Sequence, residues 1–287
     1  MLKNALLCLL LTMYFHPLMA APDFVSIKSQ AQLADDTYLE GNTLEPRLKK
    51  QGQTLLHQSL IPLSQVSYFL SRANDVQTIA VRGTANLENA MLDLDLELKP
   101  NNILNIKLHQ GFGSGAKAVY DDAKPFLNKD QPIHLTGHSL GGAIAVILAM
   151  YLQRDGYEIE QVTTFGQPKV TNVTGAKAFA HLPLVRVVTA NDIVPLVPPI
   201  SPMQIMDLDI FWHMGEEVIL LGNKTFTQTN GMKSMLRATK FTTAIPNDQN
   251  LIAHKMTTYL NLIETLQSAP QEIPYKTDIS LFGFSLD

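Results

Sequence analysis

The stretch "PIHLTGHSLGGAIAVILAM", residues 132–150, constrains this chain more than any other. A short apolar run ends at Gly137, one serine stands at Ser139, and an almost unbroken apolar segment starts at Leu140. A strand must end and a helix begin within a few residues, which forces Ser139 into a strained turn. Glycines two positions before and two after remove the Cβ atoms that would collide there. Gly142, Ala143 and Ala145 let the helix, read as Leu140–Arg154 and closed by Gly156, sit close to the sheet. Its first turn aims N–H groups and positive potential at a point where an oxyanion would form.

The rest of the chain supplies the layers that such a helix needs. "QVSYFL" and "VQTIAVRG" read as neighbouring strands, and "LDLDLEL", residues 92–98, alternates leucine with acid as a half-exposed strand does. "SGAKAVYDDAKPFLNK" is an amphipathic helix interrupted at Pro125. "QVTTFG" and "LVRVVTA" are strands on either side of a short helix over 174–182, followed by the strand "EVILLG" and a helix around 250–267. Strands alternating with helices predict an α/β fold with a mostly parallel central sheet covered on both faces. With 287 residues, 46% of them hydrophobic, and no break in composition, residues 21–287 read as one domain, the tail 268–287 remaining unassigned. The formal net charge is −4 and no lysine–arginine run is present, so no nucleic-acid partner is expected. Nothing in the sequence sets an oligomeric state.

Residues 1–20 follow another logic. Lys3 precedes an apolar stretch from Ala5 to Phe15, then Pro17 and small residues, the order of a secretory signal peptide cleaved after Ala20 or Ala21. The expected location is therefore secreted or periplasmic. The single cysteine, Cys8, lies in this segment, which leaves the mature chain without disulfide or thiol chemistry.

A serine nucleophile needs a base, and the base an orienting carboxylate. "VVTANDIVPLVPP" sets Asp192 just past the carboxyl end of an apolar strand, where ligand chemistry collects in such sheets. Alone, an Asn-Asp pair in this place is as readily a turn. Two histidines follow, His213 within "FWHMGEEVIL" and His254 where a polar loop meets the last helix, and on the residues alone either could be the base.

Taken together, "IAVRGT", "LHQGF", "TGHSLGGAIA", "TFGQPKV", "NDIVPLVPP", "WHMGEEV" and "AHKMTTY" resemble, in order, the motifs of the class-three lipases, the family of the filamentous-fungal triacylglycerol lipases, which also has bacterial secreted members. The similarity covers about residues 60–265 and implies an α/β-hydrolase-type fold with a short lid helix. It implies Ser139 as nucleophile, Asp192 as orienting acid and His254 as base, with His213 in a structural motif. It implies an oxyanion hole from Thr84 and the backbone N–H of Leu140, and a lid over "ANLENAML", with Leu87, Met91 and Leu92 on its apolar side. Leu87, Met91, Ile193, Val194, Leu196 and Ile252 are candidates for the lid and acyl-chain groove because they lie near the triad in sequence.

The expected activity is hydrolysis of lipid carboxylic esters through an acyl-enzyme, with no cofactor, no metal and transient contact with a lipid interface. The rivals are a phospholipase A1, a carboxylesterase, a lipid acyltransferase and a non-catalytic lipid-binding relative. Gly111–Ala116 also fits the dinucleotide turn G-x-G-x-x-A, but the "LHQGF" resemblance explains these glycines otherwise and an exported protein meets little nicotinamide cofactor; no H-E-x-x-H or comparable metal spacing occurs.

Overall fold

A computed structural model describes residues 21–39, 41–62, 64–84, 97–199, 209–231 and 247–276, with the short pieces 204, 206, 234–235, 280–281 and 284–285. The signal segment 1–20, most of the "LDLDLEL" strand, and the lid candidates Leu87, Met91 and Leu92 lie outside the described residues.

The chain opens with α1 (Phe24–Asp36), capped by Asp23, whose carboxylate accepts from the N–H groups of Val25 and Ser26. Then come α2 (Leu44–Lys50) and the antiparallel meander β1 (Thr54–Ile61), β2 (Val66–Ala73) and β3 (Val76–Val81). The hairpin β4 (Leu98–Asn101) and β5 (Ile106–His109) leads into α3 (Gln110–Ala123), which stops at a tight turn containing Pro125. Next are β6 (Ile133–His138), α4 (Leu140–Arg154), β7 (Ile159–Phe165), β8 (Thr171–Asn172), α5 (Val173–Ala178) and β9 (Leu184–Thr189). The remainder holds β10 (Phe211–Trp212), β11 (Glu216–Gly222), β12 (Thr225–Asn230), α6 (Asp248–His254), α7 (Met256–Thr265) and β13 (Gln271–Glu272), with a final hairpin of β14 (Ser280–Leu281) and β15 (Phe284–Ser285).

Among the described residues nine strands form one sheet in the order β1-β2-β3-β6-β7-β9-β11-β12-β13. Its centre, β3 through β11, is parallel, and antiparallel pairs flank it at β1–β2–β3 and at β11–β12. The fold is of the α/β-hydrolase type. Alternate residues of each strand serve opposite layers. Leu135, Val162 and Leu184 face the layer of α3 and α4, whereas Phe165, Val187, Val218 and Leu220 meet α1 and α7. Residues Gly141–Leu152 of α4 are all buried, as its apolar sequence predicts.

One reading needs correction and two others gain detail. The helix expected around 250–267 is two helices, because Lys255 adopts extended backbone (φ −67°, ψ 138°) between α6 and α7. Gly111, Gly113 and Gly115 lie inside α3, so no phosphate-cradling turn opens there and the dinucleotide alternative falls. Part of the unassigned tail is ordered, since β13 adds in parallel to β12. Sequence periodicity also passes over β1, whose residues alternate only between exposed and half-buried.

Candidate active site

The parallel strands β6, β7 and β9 end on the same side of the sheet, and the candidate residues follow directly from those ends. Ser139 stands between β6 and α4 with φ 56° and ψ −128°, a conformation that costs about 1–3 kcal/mol for a residue with a side chain. Its N–H donates to the Phe165 carbonyl at 2.8 Å, fixing the elbow to β7. The flanking glycines are obligatory: a Cβ on Gly141 would lie 2.1 Å from the Val81 carbonyl oxygen, and one on Gly137 would lie 2.5 Å from Gly141. Leu140 is the first helical residue, so its N–H has no partner within α4. Gly83, which precedes Thr84, lies beside the elbow, for a Cβ built there would be 3.2 Å from that of Ser139.

Asp192 lies three residues past β9 in a turn closed by its N–H to Thr189 O at 3.2 Å. Oδ1 accepts from the Val194 N–H at 2.9 Å. Oδ2 accepts from His254 Nδ1 at 2.8 Å and from the Tyr259 hydroxyl at 2.5 Å. Burial works against charge on Asp192, yet the adjacent His254, its hydrogen bond, the Tyr259 hydroxyl and the Val194 N–H hold its carboxyl below the usual range. An ionised carboxylate only accepts, so His254 carries its proton on Nδ1 and turns a lone pair out at Nε2. That Nε2 is buried with no hydrogen-bond partner among the described residues. Ser139 Oγ and His254 Nε2 are not hydrogen-bonded to each other in this structure.

His254 is the last residue of α6, and two bonds tie that helix to the Asp192 segment. Thr189 Oγ1 donates to Ala253 O at 3.0 Å, and Asn250 Nδ2 donates to Asn191 O at 2.9 Å. His213, the other histidine open to the role of base, instead bonds the Pro195 carbonyl through Nε2 at 2.6 Å. Burial, with Arg186 and Lys169 nearby, holds its pKa well below the ordinary imidazole value. It braces the loop that carries Asp192, as does the buried Lys169, whose Nζ donates to the Leu196 and Pro198 carbonyls. Of the groove candidates, Ile193, Val194 and Leu196 are buried in that loop, while Ile252 on α6 is 55% exposed. Among the described residues no group of three or more His, Cys, Asp or Glu could hold a metal ion.

Two residues here escape a search for triad members. Tyr259 completes the donors to Asp192, and its signal is only its place five residues after His254 in "AHKMTTY". Gly166, in "TFGQPKV", has φ +59°, and a Cβ there would lie 2.8 Å from Asp192 Oδ2 and from both Cε1 and Nδ1 of His254.

Residues 78–201 match the class 3 lipase family. The chain is similar to the lipase ZK262.3 of Caenorhabditis elegans, at 28% identity over 61% of this chain and 53% of that protein. It is also similar to the secreted mono- and diacylglycerol lipase 1 of Fusarium solani, at 32% identity over 42% of this chain and 39% of the relative. The match thus spans about half or less of the length of these relatives. In fold it is similar to a solved triacylglycerol lipase whose catalytic centre is formed by a serine-protease triad, with TM-score 0.58, 23% identity and coverage of 71% and 83%.

Proposed function

We propose that this chain is an exported serine hydrolase that cleaves carboxylic esters of lipids. The observation that carries the reading is the Asp192–His254 hydrogen bond, which leaves His254 Nε2 as a buried acceptor unpartnered among the described residues, its ring 4.4 Å from that of His138, the neighbour of a serine on a strained turn. His254 takes the Ser139 proton as Oγ attacks the acyl carbonyl. The oxyanion accepts from the N–H groups of Thr84 and Leu140. The tetrahedral intermediate collapses, His254 passes its proton to the departing alkoxide, and an acyl-enzyme remains. Water enters, gives a proton to His254, attacks the same carbonyl, and Ser139 recovers its proton as the fatty acid leaves. No step needs a cofactor. Kinship to a secreted fungal mono- and diacylglycerol lipase supports a lipid ester as substrate and export as the fate.

Hydrolysis of p-nitrophenyl butyrate, emulsified triolein and phosphatidylcholine by wild type, Ser139→Ala, His254→Ala and His213→Ala tests this. Ser139→Ala and His254→Ala lose at least about a thousandfold in kcat. Folded His213→Ala keeps turnover. Undiminished hydrolysis by Ser139→Ala overturns the mechanism, and preferential cleavage of phosphatidylcholine moves the substrate from neutral glycerides to phospholipids.

A further inference from the structure

We infer that Tyr38 and His138 are positioning residues, joining the Gly83–Thr84 turn, the Ser139 elbow and the His254 base through one directed chain of hydrogen bonds. The inference rests on the serine-hydrolase reading above and adds two residues that the triad does not include. Tyr38 lies two residues beyond α1 and outside the segment 78–201 that matches the family.

The chain starts at the base. The His254 carbonyl is at the end of α6, where the extended Lys255 breaks the helix and leaves that oxygen without a helical N–H. His138 Nε2 lies 2.6 Å from it. A carbonyl can only accept, so Nε2 is the protonated nitrogen of His138. His138 Nδ1 lies 2.8 Å from the Tyr38 hydroxyl. Burial first, and then His254, push the His138 pKa down to about 3, so the ring is neutral and Nδ1 must accept. The Tyr38 O–H therefore donates to it, while the hydroxyl oxygen takes the Gly83 N–H. Burial raises the Tyr38 pKa to about 12, which keeps that proton in place. Each link thus has one allowed direction.

Geometry gives the chain its purpose. His138 is covalently next to Ser139, and its ring centroid lies 4.4 Å from that of His254. One rigid side chain therefore spans from the residue beside the nucleophile to the backbone of the base. The same Tyr38 hydroxyl grips the residue beside Thr84, and α1 anchors Tyr38 through Phe24, Ile27, Ala31 and Ala34 in the core. A neutral His138 also places no like charge against the His254 imidazolium that forms during acyl transfer. A plain apolar filler at 138 would pack as well but would leave the His254 carbonyl and the Tyr38 hydroxyl unsatisfied.

The test measures kcat, KM and thermal melting for Tyr38→Phe, His138→Leu and His138→Gln on p-nitrophenyl butyrate, with Ser139→Ala as reference. Tyr38→Phe loses about fivefold in kcat with KM within about twofold, as for one neutral hydrogen bond. His138→Leu loses about a hundredfold, the effect of a base displaced by about 1 Å. His138→Gln recovers most of that loss, because its amide can donate to the His254 carbonyl and accept from Tyr38. Wild-type kcat in Tyr38→Phe and in folded His138→Leu, with Ser139→Ala inactive, overturns this inference alone. So does a fall in melting temperature with no split between kcat and KM and no rescue by glutamine. If His138→Leu fails to fold, Tyr38→Phe and His138→Gln decide by the same criteria. Full activity in Ser139→Ala overturns the serine reading and this inference with it.

Discussion

Gly166→Ala puts a single methyl group at the point where the proposed acid and base meet. A Cβ on Gly166 would lie 2.8 Å from Asp192 Oδ2 and equally close to Cε1 and Nδ1 of His254. Ordinary contacts begin near 3.4 Å, so either the imidazole and carboxylate retreat by about 0.5 Å or the β7 end shifts. Retreat misaligns Nε2 with Ser139 Oγ, and a misplacement of 0.5–1 Å costs about 10- to 100-fold in kcat. The backbone adds its own penalty, since φ +59° disfavours any residue with a Cβ by about 1–2 kcal/mol. For a chain of this size that lowers Tm by about 2–8 °C. The assay is steady-state hydrolysis of p-nitrophenyl butyrate beside a thermal melt. The expected result is a soluble, cooperatively folded variant with a modest drop in Tm, a large drop in kcat and an unchanged KM. A folded Gly166→Ala with wild-type kcat would refute the argument that the Asp192–His254 pair is the working element at this site.

Two further predictions concern the same neighbourhood. Tyr259→Phe removes one donor from Asp192 Oδ2, and loss of a hydrogen bond to a charged group lowers kcat by about 10- to 100-fold while circular dichroism stays native. An unchanged kcat would mean that His254 and the Val194 N–H orient the carboxylate unaided. Stability should fall on acidification below pH 6.5, the ordinary value of the two buried imidazoles His138 and His213. Both have depressed folded pKa values, so in that window the unfolded chain binds protons that the folded one refuses. Each contributes up to about 1.4 kcal/mol of lost stability per pH unit. Asp35 and Asp36, raised by burial, act in the opposite sense at lower pH. Urea titrations at pH 7, 6 and 5 check this, and a midpoint that holds or rises on acidification counts against it.

The elbow was legible in the chain because its requirements are local. A strand that must become a helix around one serine needs glycines at 137 and 141, and these residues stand where the Val81 carbonyl and the helix backbone leave no room for a Cβ. The extent of α4 was legible for a related reason, since a helix apolar on all sides can only be interior. Which histidine meets Asp192 was not settled by local sequence. His213 and His254 each sit near apolar residues, and only the docking of α6 at the end of β9 brings one of them to Asp192 while the other meets Pro195. The break at Lys255 was hidden too, because no glycine or proline marks it. Tyr38, Gly166 and Tyr259 became meaningful only when packing brought together segments distant in sequence, 100 residues apart for Tyr38 and His138 and 67 for Tyr259 and Asp192. Sequence alone determined the turn around Ser139 and the layered α/β class, which depend on backbone sterics and hydrophobic period. Tertiary structure decided which histidine faces which carboxylate, because hydrogen-bond partners distant in sequence are chosen by the order of strands in the sheet.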